Sequence, residues 1–341
     1  MTTYFYEGFF QVQSIFTSMP KAERGTEVAF AAQLLEAGHC VALPTETVYG
    51  LAANALNPEA VARIFEIKQR PHFDPLILHI HNSRQLLELA SYIPDTAIRL
   101  AREFWPGPLT LVLPRTPTVI DLVTSGLDTV ALRMPSHPML RQLLQRLSFP
   151  IAMPSANPFG YVSPTTAQHV MDQLGNKIPY VLDGGPCEIG LESTIVSFDE
   201  QDTPVLLRPG AITEEQLVQV VGKLKRPAQE SNGSPLAPGQ LKSHYAPRIP
   251  LQMWVREELE ALPYDPEAGV LVFGPYLKQF PRPVQRNLSE SGNLAEAAHN
   301  LFSFLRYLDT DAHKRLYAHY LPDTGLGVPI NDRLKKAAGM G

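Results

Sequence analysis

The sequence predicts an α/β protein of two domains, and three observations carry that expectation. Between Val28 and about Val221, short apolar runs alternate with amphipathic stretches at helical spacing. From Lys223 to Arg248 the composition changes to KLKRPAQESNGSPLAPGQLKSHYAPR, rich in Pro, Gly, Ser and charge, which reads as a linker. Beyond it the alternation resumes over about ninety residues, enough for a small α/β unit. The expected divisions are an N-terminal extension at 1–22, a larger domain at 23–222, the linker at 223–249 and the small domain at 250–341. A chain of 341 residues also exceeds the usual size of one domain.

In chain order, the strand candidates are CVALP, PLILHI, LTLVLP, TVALRMP, PIAMPS, YVLDGG, STIVSF and PVLLRPG. Many close on Pro, Gly or Ser, the residues that stop a strand. The spacing predicts a helix over Pro58 to Lys68: Asn57 can cap it, Pro58 suits its first turn, and Val61, Ile64 and Phe65 share a face. That helix must stop near Arg70, because Pro71 disfavours helical geometry in the residue before it. Further helices are expected at about Asp95 to Phe104, His137 to Leu147, Thr165 to Leu174 and Thr213 to Val221. After the linker, AGVLVFGP reads as a buried strand closed by glycine, Asn293 to Leu308 as an amphipathic helix, and TGLGVPINDRLKKAAG as a glycine turn with a short helix. No internal repeat is visible.

Composition narrows the function. Hydrophobic residues make up 44% and charged residues 18%, an ordinary globular balance. No apolar run is long enough to span a bilayer, so no membrane partner is expected. The aromatic segment MTTYFYEGFFQVQSIFTSMP lacks a basic n-region and a clean apolar h-region, so it is expected to be an extension, with Met19 as an alternative start, and not a signal peptide. The two cysteines, Cys40 and Cys187, lie far apart and outside any CxxC or His-rich context; neither a disulfide framework nor a metal site is expected, and a cytoplasmic location fits. A net charge of −5 argues against a surface that is wholly a nucleic-acid footprint, yet leaves a local basic cleft and anionic small ligands open.

GPCEIGLES spaces its glycines as a phosphate-binding loop would, but Leu191 stands where lysine should follow Gly190. No dinucleotide fingerprint, HExxH, GxSxG or kinase signature is present. Single basic residues are by default solvated charges or helix C-terminal complements. Lys68 and Arg70 at a helix end, and Arg208 before Pro209 and Gly210, start from that default. Arg133 departs from it: flanked by Val130 to Leu132 and Met134 on a strand covered on both faces, its guanidinium would need an anionic partner, such as a substrate carboxylate or phosphate. Hydroxyls gather at strand ends too. Thr47, Ser155 and Ser163 lie at or after such ends and Ser193 with Thr194 begins a strand, where α/β folds keep ligands, although turn chemistry explains each singly. None has an elbow or a His-Asp pair, so covalent catalysis is not expected. His79 and His81 share a face with Ile77 on PLILHIH; core or edge packing is the default for either, a ligand contact the minority reading.

PTETVYGLAANA, KQRPHFDPLILHI, TVALRMPSHP, PSANPFGYVSPT, DGGPCEIGLESTIV and LRPGAIT occur in one order over one domain. Together with APGQLKSHYAP and the terminal GLGVPINDRLKKAA, they make the chain similar, over nearly its whole length after Met19, to the YrdC-like threonylcarbamoyl-AMP synthases in their long, two-domain form. The resemblance implies a twisted open α/β sheet domain with a concave active-site cleft, plus a small Rossmann-like α/β domain on a long linker. It implies that L-threonine, bicarbonate and ATP become threonylcarbamoyl-AMP and pyrophosphate, the first step of threonylcarbamoyladenosine formation beside the tRNA anticodon. A separate tRNA threonylcarbamoyl transferase complex would then act downstream, and RNA contact by this chain would be weak.

By the same resemblance, Lys68 and Arg70 would face phosphates and carboxylates, and Asp74 and Arg208 would contact nucleotide. Thr129, Ser155 and Ser163 would lie on the ATP side, with Tyr245 folding back over the nucleotide. Thr47, His79, Arg133, Ser193 and the backbone near Met153 would form the threonine pocket. Mg²⁺ would screen the triphosphate, with no side chain identified as its ligand. Thr45 and Glu46 would shape the loop rather than bind. Ala52 stands where the family often has glycine, so ordinary backbone is expected after Gly50, and Phe159 replaces a small polar residue at a loop lip. A module gripping tRNA or double-stranded RNA, and a carbamoyl transferase, are the competing readings. Acidic balance and absent RNA motifs count against the first, and too few cysteines for zinc fingers against the second.

Overall fold

The computed structural model of the chain describes residues 21–227, 237–239 and 244–340; the expected N-terminal extension up to residue 20, and linker residues 228–236 and 240–243, lie outside them. The first strands are β1 (Glu23–Gly25), β2 (Val41–Leu43), β3 (Gly50–Asn54), β4 (Ile77–His79) and β5 (Leu109–Pro114). They continue with β6 (Thr129–Arg133), β7 (Ile151–Ala152), β8 (Tyr180–Leu182), β9 (Thr194–Phe198) and β10 (Pro204–Arg208). The helices among them are α1 (Val28–Glu36), α2 (Pro58–Lys68), α3 (Ser83–Leu89), α4 (Asp95–Phe104), α5 (Asp121–Thr124), α6 (Pro138–Arg146), α7 (Ala167–Leu174) and α8 (Glu214–Val221).

These strands form one sheet in the order β1-β8-β2-β3-β7-β4-β6-β5-β9-β10. It is mixed: β4 and β6 run parallel, as do β5 and β9, while β5 and β6 are antiparallel. Leu111 to Leu113 and Val130 to Leu132 are buried throughout, which is why these strands read as unbroken apolar runs and not as alternations. Helix α2 begins and ends where the sequence places it. The Asn57 side chain accepts from the Glu59 and Ala60 amides, and Gln69 turns the chain out at φ 53°.

Two strands of this sheet escaped the sequence reading, β1 and β3. GLAAN has no β-branched residue, and β3 is held by its neighbours β2 and β7. Its small side chains allow close packing: a Cβ on Gly50 would sit 2.4 Å from Met153 Cγ. Gly50 and Ala52 adopt ordinary extended backbone, as the alanine implied.

The second sheet is wholly parallel, in the order β11-β14-β12-β13, from β11 (Leu251–Trp254), β12 (Ala268–Val272), β13 (Gln285–Asn287) and β14 (Arg315–His319). Helices α9 (Arg256–Ala261), α10 (Leu294–Leu308) and α11 (Gly327–Ala337) accompany it. Val48, Val162 and Leu191 of the first unit share one apolar cluster with Tyr245, Phe302, Leu305, Ile330 and Leu334, so the second unit packs on the loops of the first. Gly190, whose spacing mimics a phosphate loop, serves this contact. It sits at φ +76°, and a Cβ there would lie 2.6 Å from the His299 carbonyl of α10.

Candidate functional site

The site lies where β4 and β6 end and β5 and β9 begin, since His79 pairs with Arg133, Arg133 with Thr110, and Leu109 with Thr194. Its first wall is the turn between β2 and β3. Thr45 Oγ1 accepts from the Thr47 and Val48 amides, donates to the Val48 carbonyl at 2.7 Å, and lies 2.8 Å from Thr47 Oγ1. One hydroxyl thus fixes the whole turn, and Thr47 is buried at its tip. Glu46 points to the sheet instead and pairs with Arg133 Nη2 at 2.5 Å. Within the chain, then, Glu46 is an anionic partner of Arg133, and Arg133 still lines the cavity. Burial alone would raise the Glu46 pKa; the charge and hydrogen bond of Arg133, with the Ser136 amide, outweigh it and hold the carboxyl below its ordinary value.

His79 is buried beside Arg133, and its Nδ1 has no hydrogen-bond partner among the described residues. Burial, and then the charge of Arg133, hold the imidazole well below its usual pKa, so it is neutral at pH 7. On the other side, the Ser193 hydroxyl meets Thr110 Oγ1 at 2.7 Å and receives Arg208 Nη2 at 3.2 Å. Arg208 also donates to the Ser193 carbonyl at 2.9 and 3.2 Å and to the Pro238 carbonyl at 3.1 Å.

Arg70 spreads its guanidinium over the Asp74 and Pro75 carbonyls at 3.1 and 2.9 Å, with the Asp74 carboxylate 2.9 Å away. That carboxylate receives no well-aligned hydrogen bond among the described residues, and burial raises its pKa despite Arg70, Lys68 and Arg208. Lys68 Nζ donates to the Ser155 and Asn157 carbonyls, each at 2.5 Å. Burial, then the charge of Arg70, depress its pKa well below the usual value.

Pro238, Gly239, His244 and Tyr245 cover the site, leaving a cavity of about 50 Å³. Tyr245 takes a left-handed φ of 62°, stacks on Phe302 with ring centroids 5.6 Å apart, and is buried. Phe159 meets the His244 ring edge-on at 6.0 Å and lies 6.0 Å from the Arg70 guanidinium, beside two cavity residues without lining the cavity itself.

Thr47, Arg70, His79, Arg133, Met153, Ser155, Ser193, Arg208 and Tyr245 line one cavity. Four expected residues do not line it. Lys68 is turned onto two carbonyls of the Ser155 loop, Asp74 lies behind Arg70, and Ser163 gives its hydroxyl to Glu192 at 2.7 Å. Thr129 opens β6, four residues or about 13 Å of strand from Arg133 at the far end. Reasoning from sequence missed Glu192 and His244, which line the cavity, and Thr110, which supports Ser193. Adjacency to Ser193 and Tyr245 was the available signal for the first two. His81, for which packing was the default, meets Asn82 at 2.7 Å, and the buried thiols of Cys40 and Cys187 are pushed up to about 12 by burial. Among the described residues no group of three or more His, Cys, Asp or Glu could hold a metal ion, and no helix is long and apolar enough to cross a membrane.

The family model Sua5_yciO_yrdC, described as "Telomere recombination", matches residues 33–210, and that described as "Threonylcarbamoyl-AMP synthase, C-terminal domain" matches residues 212–339. The chain is 42% identical to a threonylcarbamoyl-AMP synthase of Bacillus subtilis, over 92% of this chain and 93% of that protein. It is 41% identical to the Pyrococcus abyssi protein of the same name, over 92% and 94%. A solved structure of P. abyssi Sua5 complexed with L-threonine superposes with a TM-score of 0.85 at 39% identity, covering 93% of this chain and 97% of that one. With matches of this extent across both sheets, the chain belongs to the Sua5/YciO/YrdC family, in the two-domain form of the threonylcarbamoyl-AMP synthases.

Proposed function

We propose that the protein synthesises L-threonylcarbamoyl-AMP from L-threonine, bicarbonate and ATP. The observation that carries this reading is the single cavity in which Thr47, His79, Arg133, Met153 and Ser193 meet Arg70, Ser155, Arg208 and Tyr245. Relatives named for this activity, and a relative complexed with L-threonine, support it. The threonine amine captures bicarbonate as a carbamate with loss of water. A carbamate oxygen then attacks the α-phosphorus of ATP, forming the mixed anhydride and expelling pyrophosphate. No protein nucleophile is needed, so the task is to hold three anions in line and neutralise them.

Arg133, held by Glu46, is assigned to the threonine carboxylate, with Thr47, neutral His79 and the Met153 backbone around the rest. Arg70 and Arg208 are assigned to the phosphates. Lys68 acts through the Ser155 and Asn157 carbonyls, and Ser163 through Glu192. Mg²⁺ enters with ATP as the substrate complex. A cavity of about 50 Å³ is far smaller than the roughly 300–1,000 Å³ of ordinary ligand sites, so the cover bearing His244 and Tyr245 must lift to admit nucleotide. The methyl of threonine distinguishes it from serine by only about 1–3 kcal/mol in a fitted pocket. A cytoplasmic setting, transfer of the product to tRNA by a separate complex and a weak RNA contact complete the reading.

The test supplies MgATP, L-threonine and bicarbonate, omits each in turn, and follows pyrophosphate with the AMP adduct. Pyrophosphate release that ignores threonine or bicarbonate would defeat the reading.

A further inference from the structure

Arg333 belongs to α11 of the second unit, yet its fully buried side chain reaches Glu192, a residue that lines the first unit's cavity. Nε donates to Glu192 Oε2 at 3.1 Å, and Nη1 donates to the Pro209 carbonyl at 2.6 Å and to the Asp332 carboxylate at 2.9 Å. The guanidinium carbon lies 5.5 Å from the centroid of the Tyr245 ring.

Glu192, Pro209 and Tyr245 belong to different parts of the site. Glu192 lines the cavity, receives the Ser163 hydroxyl on its other oxygen, and is followed by Ser193. Pro209 follows Arg208, and Tyr245 is part of the cover. The two turns already touch: a Cβ on Gly210 would lie 2.5 Å from the Thr194 amide and 2.6 Å from the Glu192 carbonyl. Docking alone would be served better by an apolar residue, since stripping water from a guanidinium is costly and buried ion pairs are often replaceable. A planar fork of donors suits a task in which groups on separate loops must be held at fixed angles.

We propose that Arg333 is a positioning residue, through which the second domain sets the Glu192–Ser193 turn, the Arg208–Gly210 turn and the Tyr245 ring in the arrangement that grips ATP. This rests on the nucleotide reading above. Threonine contacts depend on it less: of that pocket only Ser193 lies on a turn Arg333 holds, whereas His79, Arg133 and Met153 come from β4, β6 and the end of β7, and Thr47 from the turn fixed by Thr45.

The experiment compares wild type with Arg333→Met, Arg333→Lys and the paired Glu192→Gln/Arg333→Met variant, which removes both buried charges together. The readouts are KM for ATP, kcat, the Kd for L-threonine without nucleotide, and the thermal midpoint. We expect Arg333→Met and the paired variant to raise KM for ATP about tenfold or more, while the threonine Kd shifts less than about threefold and kcat falls less than KM rises. Arg333→Lys, which keeps the charge and a single donor nitrogen in place of the fork, should recover part of the ATP term. An unchanged KM for ATP in any folded variant that lacks Arg333 would overturn the proposal. So would equal losses for ATP and threonine, which would make Arg333 a structural strut. Should both methionine variants fail to fold, the lysine variant decides: an ATP term equal to wild type overturns the proposal, and a selective rise supports it. Failure of wild type to form the adduct would strike the nucleotide reading instead.

Discussion

Lys68 and Arg70 are two residues apart and both buried, yet only Arg70 reaches the cavity. Arg70 holds the Asp74 and Pro75 carbonyls and the Asp74 carboxylate from one planar group. A lysine ammonium cannot span those positions, so Arg70→Lys is expected to lower turnover about 10- to 100-fold, the loss of one or two charge-assisted hydrogen bonds. Turnover near wild type would remove Arg70 from the mechanism. Glu46 gives a prediction about pH. Its folded pKa is depressed, so the stability it contributes is fully present above its unfolded value near 4.5 and is lost as pH falls through the folded value. Glu46→Gln leaves Arg133 buried without its counter-charge, which should cost about 3–5 kcal/mol at pH 7. Urea unfolding at a series of pH values should show the gap to wild type narrowing below pH 4.5. A gap that stays constant with pH would refute the depressed pKa. Arg133 also shows where sequence was partly readable: a guanidinium among apolar neighbours announced a buried anion, but nothing in PTETVYG said that Glu46 would reach it from 87 residues away.

At the scale of elements, the strongest local signals survived in the structure. The Asn57 cap with Pro58, and the amphipathic run from Asn293 to Leu308, place helices that form, and the structure adds the Asn293 side chain as the cap of the second. Strands of continuous Val, Leu and Ile were readable because both faces are covered. β3 was not, since GLAAN owes its extended form to β2 and β7, partners that local propensity cannot report. The same limit hid β11, β13 and β14, whose LQMW, QRN and RLYAH are mixed in polarity and become strands by parallel pairing. Gly190 carries a signal that sequence left unexplained. Its spacing is that of a phosphate loop, which Leu191 rules out, and its φ of +76° and the His299 carbonyl explain it as room for α10. Gly190→Ala is accordingly expected to destabilise the fold by about 1–3 kcal/mol through left-handed strain and the clash. The thermal midpoint should fall, while threonine affinity in the folded fraction stays near wild type. An unchanged midpoint would show that α10 does not need this close approach.

On the scale of the whole molecule, the two sheets are separate but their interface is not a neutral seam. Val48, Val162 and Leu191 sit on loops of the first unit and are buried against α10 and α11. Val48 directly follows Thr47 and Leu191 precedes Glu192, so the apolar contact that joins the units also backs the cavity wall. Sequence composition marked residues 223–249 as a linker, and only the family resemblance singled out Tyr245 in it. The structure sets Pro238, Gly239 and His244 beside Tyr245 in the cavity lining. A chain ending before Leu236 would lose that cover, the α10 and α11 faces and Arg333 together. Exposing an apolar surface of this kind favours association of the truncated chains, and an uncovered site leaves the charged substrates in water, where each electrostatic contact is weaker. Such a truncation should therefore bind the fluorescent dye ANS where the full chain does not, and should release pyrophosphate at least about tenfold more slowly at saturating substrates. Threonine should still bind, because Thr47, His79 and Met153 remain. A monomeric truncation with full turnover would mean that the first sheet is a complete enzyme and that the second unit serves something other than this cavity.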